Sequence, residues 1–247
     1  IETADFAALS SSAIRALTSA QDRRVATARC DPRSSRRSGA LSNGQVAGLT
    51  TAQLAKLETE DFAALSTAAI RGLTTTQLEA LTTSELVVMT TAQVAALSTA
   101  QINSLTTGDL NVLGTEQFAA LTSAQVGGLS TTQIAVLETA DLQSLSSTAL
   151  RALTTAQIDA LTTAQLANLT TAQAAALTTA QISSLSTGDL NALGTEHFAA
   201  LSSAQVVSLT TTQFAAIETA DFAALSSSAI RALTSAQIGS LATATLN

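Results

Sequence analysis

Apolar residues return along this chain with a period of eight. Leu, Ile, Met or Val stands at Ile1, Leu9, Leu17 and Val25, then at Leu41, Leu49 and every eighth residue to Leu241; only Arg33 breaks the series. Numbered from that residue, position six of each octad is also apolar nearly throughout, and all six Phe residues fall there (Phe6, Phe62, Phe118, Phe198, Phe214, Phe222). Position three is Ser or Thr except at Asn43, and position five is usually Gln, Asp or Glu. The consensus is L-[TS]-T-A-Q-[ILVF]-x-A.

This spacing predicts one short helix per octad. A single long helix fails because eight residues at about 100° each overshoot two turns by roughly 80°, so the Leu stripe would wander around the cylinder. Strands fail because strict alternation is missing and Ala is a weak strand former. In TTAQI the Thr at position two is placed to be an N-cap, with Gln at N3 completing a capping box. The Leu before the cap and the apolar residue at position six then form a hydrophobic staple. In octads with Glu or Gly at position two (Glu58, Gly114, Glu138, Gly194, Glu218), the cap is expected to move to the Thr at position three.

A helix of about six residues, near 9 Å long, does not survive alone in water. It must bury its two apolar residues against other octads, at about 1.5–3 kcal/mol each. The expected fold is therefore all-α, a solenoid of short capped helices running through residues 1–247 as one domain. The number of helices per turn is not written in the repeat.

A longer period lies on top. LETEDFAALSTAAIRGL at Leu57, LETADLQSLSSTALRAL at Leu137 and IETADFAALSSSAIRAL at Ile217 stand eighty residues apart. A further copy opens the chain at Ile1, seven octads before Leu57. Seven is odd, so duplication has respected the single octad and not a pair.

Residues 22–40 form an irregular segment. They hold six of the chain's eleven Lys and Arg, yet Leu17 and Leu41 remain three octads apart. A basic run can mark an anion or nucleic-acid site; the favoured reading is an octad stretch displaced from its coding frame, since shifted codons restore Ala-Ile-Arg-Ala and Gln-Ile in the expected slots. Elsewhere the chain is acidic, with a formal net charge of −7 overall and neither Trp nor Tyr. No basic face or aromatic platform accompanies the repeats, so nucleic acid is not an expected partner. Hydroxyls and Gln interrupt every apolar run well short of a membrane span. Ile1 is not an initiator Met and starts on an octad boundary, which suggests a piece cut from something longer. Cys30 alone builds no internal disulfide framework.

Candidate chemistry is thin. The one His, His197, holds position five, where capping is the expected role. DLNVLGTE (Asp109 to Glu116) and DLNALGTE (Asp189 to Glu196) resemble the start of a calcium loop, but the twelfth loop position is Ala120 or Ala200 where a bidentate Glu is needed. Their acids are expected to serve helix N-termini. Arg15, Arg71, Arg151 and Arg231 each follow a Glu and an Asp in the preceding octad, which reads as surface ion pairing. The hydroxyls have no recurring base beside them and read as caps. No catalytic, cofactor-binding or metal-binding residue is expected, and no enzyme activity.

The octad LTTAQ[IV]xxL resembles the Thr/Ala/Gln/Leu repeat regions of large bacterial surface or secreted proteins, over nearly the whole chain outside residues 22–40. The resemblance implies an extracellular or cell-surface structural role without catalysis. Two function classes follow: a stalk, sheath or filament subunit that self-associates end to end, and a solenoid binding module for a protein partner. Ice binding through the Thr array is a third, disfavoured because the Glu and Gly octads interrupt the array and capping uses the hydroxyls.

Overall fold

The computed structural model describes residues 41–55 and 57–241. The irregular segment 22–40 and Arg15 lie outside the described residues. Within them the chain is entirely helical: twenty-five helices of four to six residues, one per octad, from Asn43–Ala47 to Ser235–Ser240. The all-α reading therefore holds, octad by octad. The chain divides after Gly128 into two compact units.

Each octad runs through the same local program. The N-cap at position two is extended (Thr90, φ −71°, ψ 156°), the helix follows, and the Leu that ends it returns to extended backbone (Leu97, φ −61°, ψ 143°). An N–H from that Leu closes onto the carbonyl of position six, as in Leu97 to Val94 at 3.2 Å. No described residue has positive φ. The turn between helices thus needs no left-handed residue and no obligatory glycine, which is why Leu-Thr can serve as the linker in octad after octad.

In both units the dominant packing is of a helix on the one three octads later. Asn43–Ala47 lies against Thr67–Arg71 in the first, and Thr171–Ala176 against Thr195–Ala200 in the second. The stack buries both apolar positions: Ile158 is 0% exposed and Leu161 3%. Phe62, Phe118, Phe198 and Phe214 are fully buried at position six, and the Phe214 ring meets Phe222 edge-on at 5.9 Å. The seam that the eight-residue period implies is the core.

Candidate functional site

A helix of five residues poses a hydrogen-bonding problem before it poses a packing one. The first four N–H groups and last four C=O groups of any helix lack partners inside it, so almost all the backbone of these helices is orphaned. Burying it unpaired would cost about 1–3 kcal/mol per group. The side chains at positions two and five solve this, and they form the one polar constellation that recurs throughout the described residues.

At the N-terminal end, the hydroxyl at position two accepts from the N–H at position five. Gln77 N donates to Thr74 Oγ1 at 3.2 Å, and Thr74 N donates back to Gln77 Oε1 at 2.8 Å. The capping box is present as expected in most octads. The expected shift of the cap does not occur. In the Glu and Gly octads the cap stays at position two, where Glu58, Gly114, Glu138, Gly194 and Glu218 make no side-chain cap bond. The reason is geometric: moving the cap by one residue would rotate position six by about 100° away from the core, and burial of that residue outweighs one capping bond. Gly114 keeps half the box, since its N–H donates to Gln117 Oε1 at 2.5 Å.

The capping box accounts for only half of the Gln amide. Its nitrogen points inward and donates to carbonyls of the octads four and three places earlier. Gln77 Nε2 donates to Val46 O at 2.9 Å and Leu49 O at 2.6 Å. Gln125 reaches Val94 and Leu97, both at 2.8 Å. Gln165 reaches Ile134 at 2.9 Å and Leu137 at 2.8 Å, and Gln237 reaches Val206 at 3.0 Å and Leu209 at 3.1 Å. Each tie spans 31 and 28 residues. These Gln side chains are buried, at 2% exposure for Gln125 and Gln165. One amide therefore serves two helix ends, its oxygen closing its own N-terminus and its nitrogen satisfying the linker Leu carbonyl of the turn below while adding a second bond to the position-six carbonyl beside it.

One signal for this is legible in the sequence. A capping box accepts Glu or Gln at N3, yet fifteen of the twenty-five described octads carry Gln there and only Glu85 carries Glu. A strong preference for the amide means a donor is required as well as an acceptor.

The exceptions at position five obey the same chemistry. His197 substitutes for Gln with both nitrogens: Gly194 N donates to Nδ1 at 3.0 Å, and Nε2 lies 2.6 Å from Leu169 O. Those partners fix the tautomer, with the proton on Nε2. His197 is thus a cap, as expected. Asp109 and Asp189 also close caps: the Thr106 hydroxyl donates to Asp109 Oδ2 at 2.7 Å, and the Ser186 hydroxyl to Asp189 Oδ2 at 2.6 Å. Glu85 keeps its cap through Oε2, which accepts from Thr82 N at 2.7 Å and Thr82 Oγ1 at 2.8 Å. Its Oε1 is buried with no hydrogen-bond partner, where a Gln would present its nitrogen. Asp141 and Asp221 are buried too. Burial, and then the nearby Glu138, raises the Asp141 carboxyl from 3.8 to about 6. Burial, then Glu218 and Glu196, pushes Asp221 up.

Position seven supplies a second kind of tie, running forward. Arg71 Nε donates to Ala96 O at 3.2 Å, and Asn191 Nδ2 to Ala216 O at 2.8 Å, each twenty-five residues on. The expected pairing of Arg71 with Glu58 or Asp61 gives way to this bond, in which its guanidinium satisfies a helix C-terminal carbonyl. Position-three hydroxyls such as Thr163, Thr171 and Thr179 are exposed and are not the capping groups. Among the described residues, no group of three or more His, Cys, Asp or Glu is placed to hold a metal ion, and no helix is long and apolar enough to cross a membrane.

Compared with known proteins, the chain matches the family model of the ALTTAQ repeat eight times, at residues 1–21, 54–88, 79–107, 105–137, 134–171, 160–187, 184–216 and 214–247. The matches leave out residues 22–53, and with them the whole irregular segment 22–40. No curated protein matches the chain.

Proposed function

We propose, from the premise that this chain belongs to the ALTTAQ repeat family, that it is an extracellular or cell-surface structural element: the load-carrying stack of a stalk, sheath or filament, with no catalytic role. The observation that carries this reading is how the polar side chains are used. Position two caps, position five caps and ties, and position seven ties forward at Arg71, Gln143 and Asn191. The chemistry that could act on a substrate is spent on holding one turn to the next. Such a unit extends by adding octads, each bringing its own cap, core residues and tie.

Self-association end to end follows the same logic. Within each unit later octads pack on earlier ones, and an octad stack from another copy would pack on this one in the same way. Electron microscopy across a concentration series tests this. Filaments that lengthen with concentration support it, and a stable monomer at every concentration removes it.

A binding module for a protein partner is the second reading, and one feature favours it. A notch of about 590 Å³ opens between Val87, Met89, Thr90, Gly114 and Glu116. Gly114 has no cap side chain to fill it, and Val87 is 57% exposed beside it. Loss of a partner on Val87→Asp, with assembly unchanged, would establish this reading in place of the first.

A further inference from the structure

The eighty-residue period has a structural counterpart in the ties. The octads beginning at Leu57, Leu137 and Ile217 put Asp at position five, and the next octad puts Ala there: Asp61 and Ala69, Asp141 and Ala149, Asp221 and Ala229. None of these side chains carries an N–H. In the second unit the consequence can be followed through. Gln205 ties to Ala174 and Leu177, Gln213 to Ile182 and Leu185, and Gln237 to Val206 and Leu209. Between them, Asp221 and Ala229 occupy the same buried slot, 5% and 0% exposed. Two consecutive octads are thus seated on the turn below by packing, without the amide tie made on either side.

The Asp221 slot is the demanding one. The register of the neighbouring ties puts the carbonyls of Leu190 and Leu193 opposite its carboxyl. Helix Thr219–Ala224 packs on Thr195–Ala200, which brings the Glu196 charge to bear on it, while Glu218 acts from its own N-cap. The other titratable groups nearby offer no relief. His197 is committed at both ring nitrogens, Asp189 is held by Ser186, and Arg231 in the following octad is exposed.

We propose that the Asp221–Ala229 pair is a proton-sensitive seam: the turn is closed while the Asp221 carboxyl carries its proton, and it opens when that carboxyl ionises. A neutral carboxyl resembles the Gln amide in offering an acceptor and a donor. An ionised one sets a buried charge against carbonyl oxygens and two further carboxylates, and the side chain finds water only if the turn lifts. The upward push on Asp221 from burial, Glu218 and Glu196 acts in this direction.

Hydrogen exchange of the full chain by mass spectrometry tests it, with exchange times scaled to equal intrinsic rates at pH 5 and pH 7.5. Peptides from 217–232 are expected to lose protection at the higher pH, in the direction that burial, Glu218 and Glu196 push the Asp221 carboxyl, while peptides from 201–216 keep theirs. Asp221→Asn is expected to hold protection level across the range, and Asp221→Gln to match the tied octads. Equal pH response in both regions, or an Asp221→Asn chain that keeps the wild-type response, overturns the seam. Should the Asn variant misfold, Glu218→Gln serves in its place. It is expected to shrink the response, and an unaltered response counts against the proposal.

Discussion

The side-chain nitrogen of Gln77 lies 2.6 Å from the carbonyl oxygen of Leu49, twenty-eight residues earlier. Leu49 is the linker residue between helices Asn43–Ala47 and Thr51–Leu54, so one amide bridges a helix of its own turn to the junction of two helices in the turn below. Ties of 28 and 31 residues backward, and of 25 residues forward, bracket three and a half octads. One turn of the stack therefore takes between three and four repeats.

That closure length makes helix formation depend sharply on repeat number. A three-octad peptide, such as residues 153–176, is shorter than the closure and cannot form one backward tie. A four-octad peptide can form its first, the 28-residue bond, and a five-octad peptide both bonds of one amide. Circular dichroism is expected to show little helix in the three-octad peptide and a marked rise in the five-octad one, beyond proportion to length. Strong helicity in the three-octad peptide would show that caps alone suffice.

Gln165→Glu keeps the acceptor that closes the cap on Thr162 and removes the donor to Ile134 and Leu137. It is expected to cost about 1–3 kcal/mol or more, because a buried carboxylate replaces a satisfied amide. Chemical denaturation at pH 7 measures this. Wild-type stability would mean the inward bonds contribute nothing net.

The reverse change belongs at Glu85, whose Oε1 is buried without a partner. Glu85→Gln is expected to stabilise the first unit by roughly the same 1–3 kcal/mol, seen as a higher midpoint in the same titration. A loss of stability would show that the carboxylate is answered by a group the amide cannot engage.

At His197 the geometry demands a ring proton on Nε2 and an accepting Nδ1. His197→Gln is expected to be close to neutral and His197→Leu to cost about 1–3 kcal/mol, since it orphans Gly194 N–H and Leu169 C=O. Nitrogen-15 spectra of the imidazole check the tautomer directly. A proton on Nδ1 would contradict the assignment.

Asp141 ties stability to pH. Its carboxyl titrates near 6 in the fold against an ordinary 3.8, so the folded chain takes up a proton that the unfolded chain releases. Folding is penalised fully above pH 6, and the penalty fades as pH falls, vanishing below 3.8. Asp141→Asn should therefore stabilise the chain at pH 7 by on the order of 1–3 kcal/mol and make little difference at about pH 4. Melting curves of both proteins at the two pH values decide it; a benefit larger at the acid pH would reverse the sign and sink the explanation.

Much of this protein was determined by neighbouring residues alone. The octad, the all-α class, the N-cap at Thr74 and the buried pair Ile158 and Leu161 all follow from interactions closed within about eight residues, or from a period that returns each Leu to the same face. The shared cap position of Glu58 and Gly114 is not readable from the local sequence, because the register of the whole stack, not the nearest hydroxyl, sets it. Tertiary structure alone decided the number of repeats per turn, the inward bond of Gln77, the orphaned oxygen of Glu85 and the turn of Arg71 toward Ala96. The physical reason is the identity of the acceptor. Each of these ties ends, or in Glu85 fails, at a backbone carbonyl, which every residue carries alike, so no complementary side chain marks the far end in the sequence. Only the fold brings Leu49 beneath Gln77.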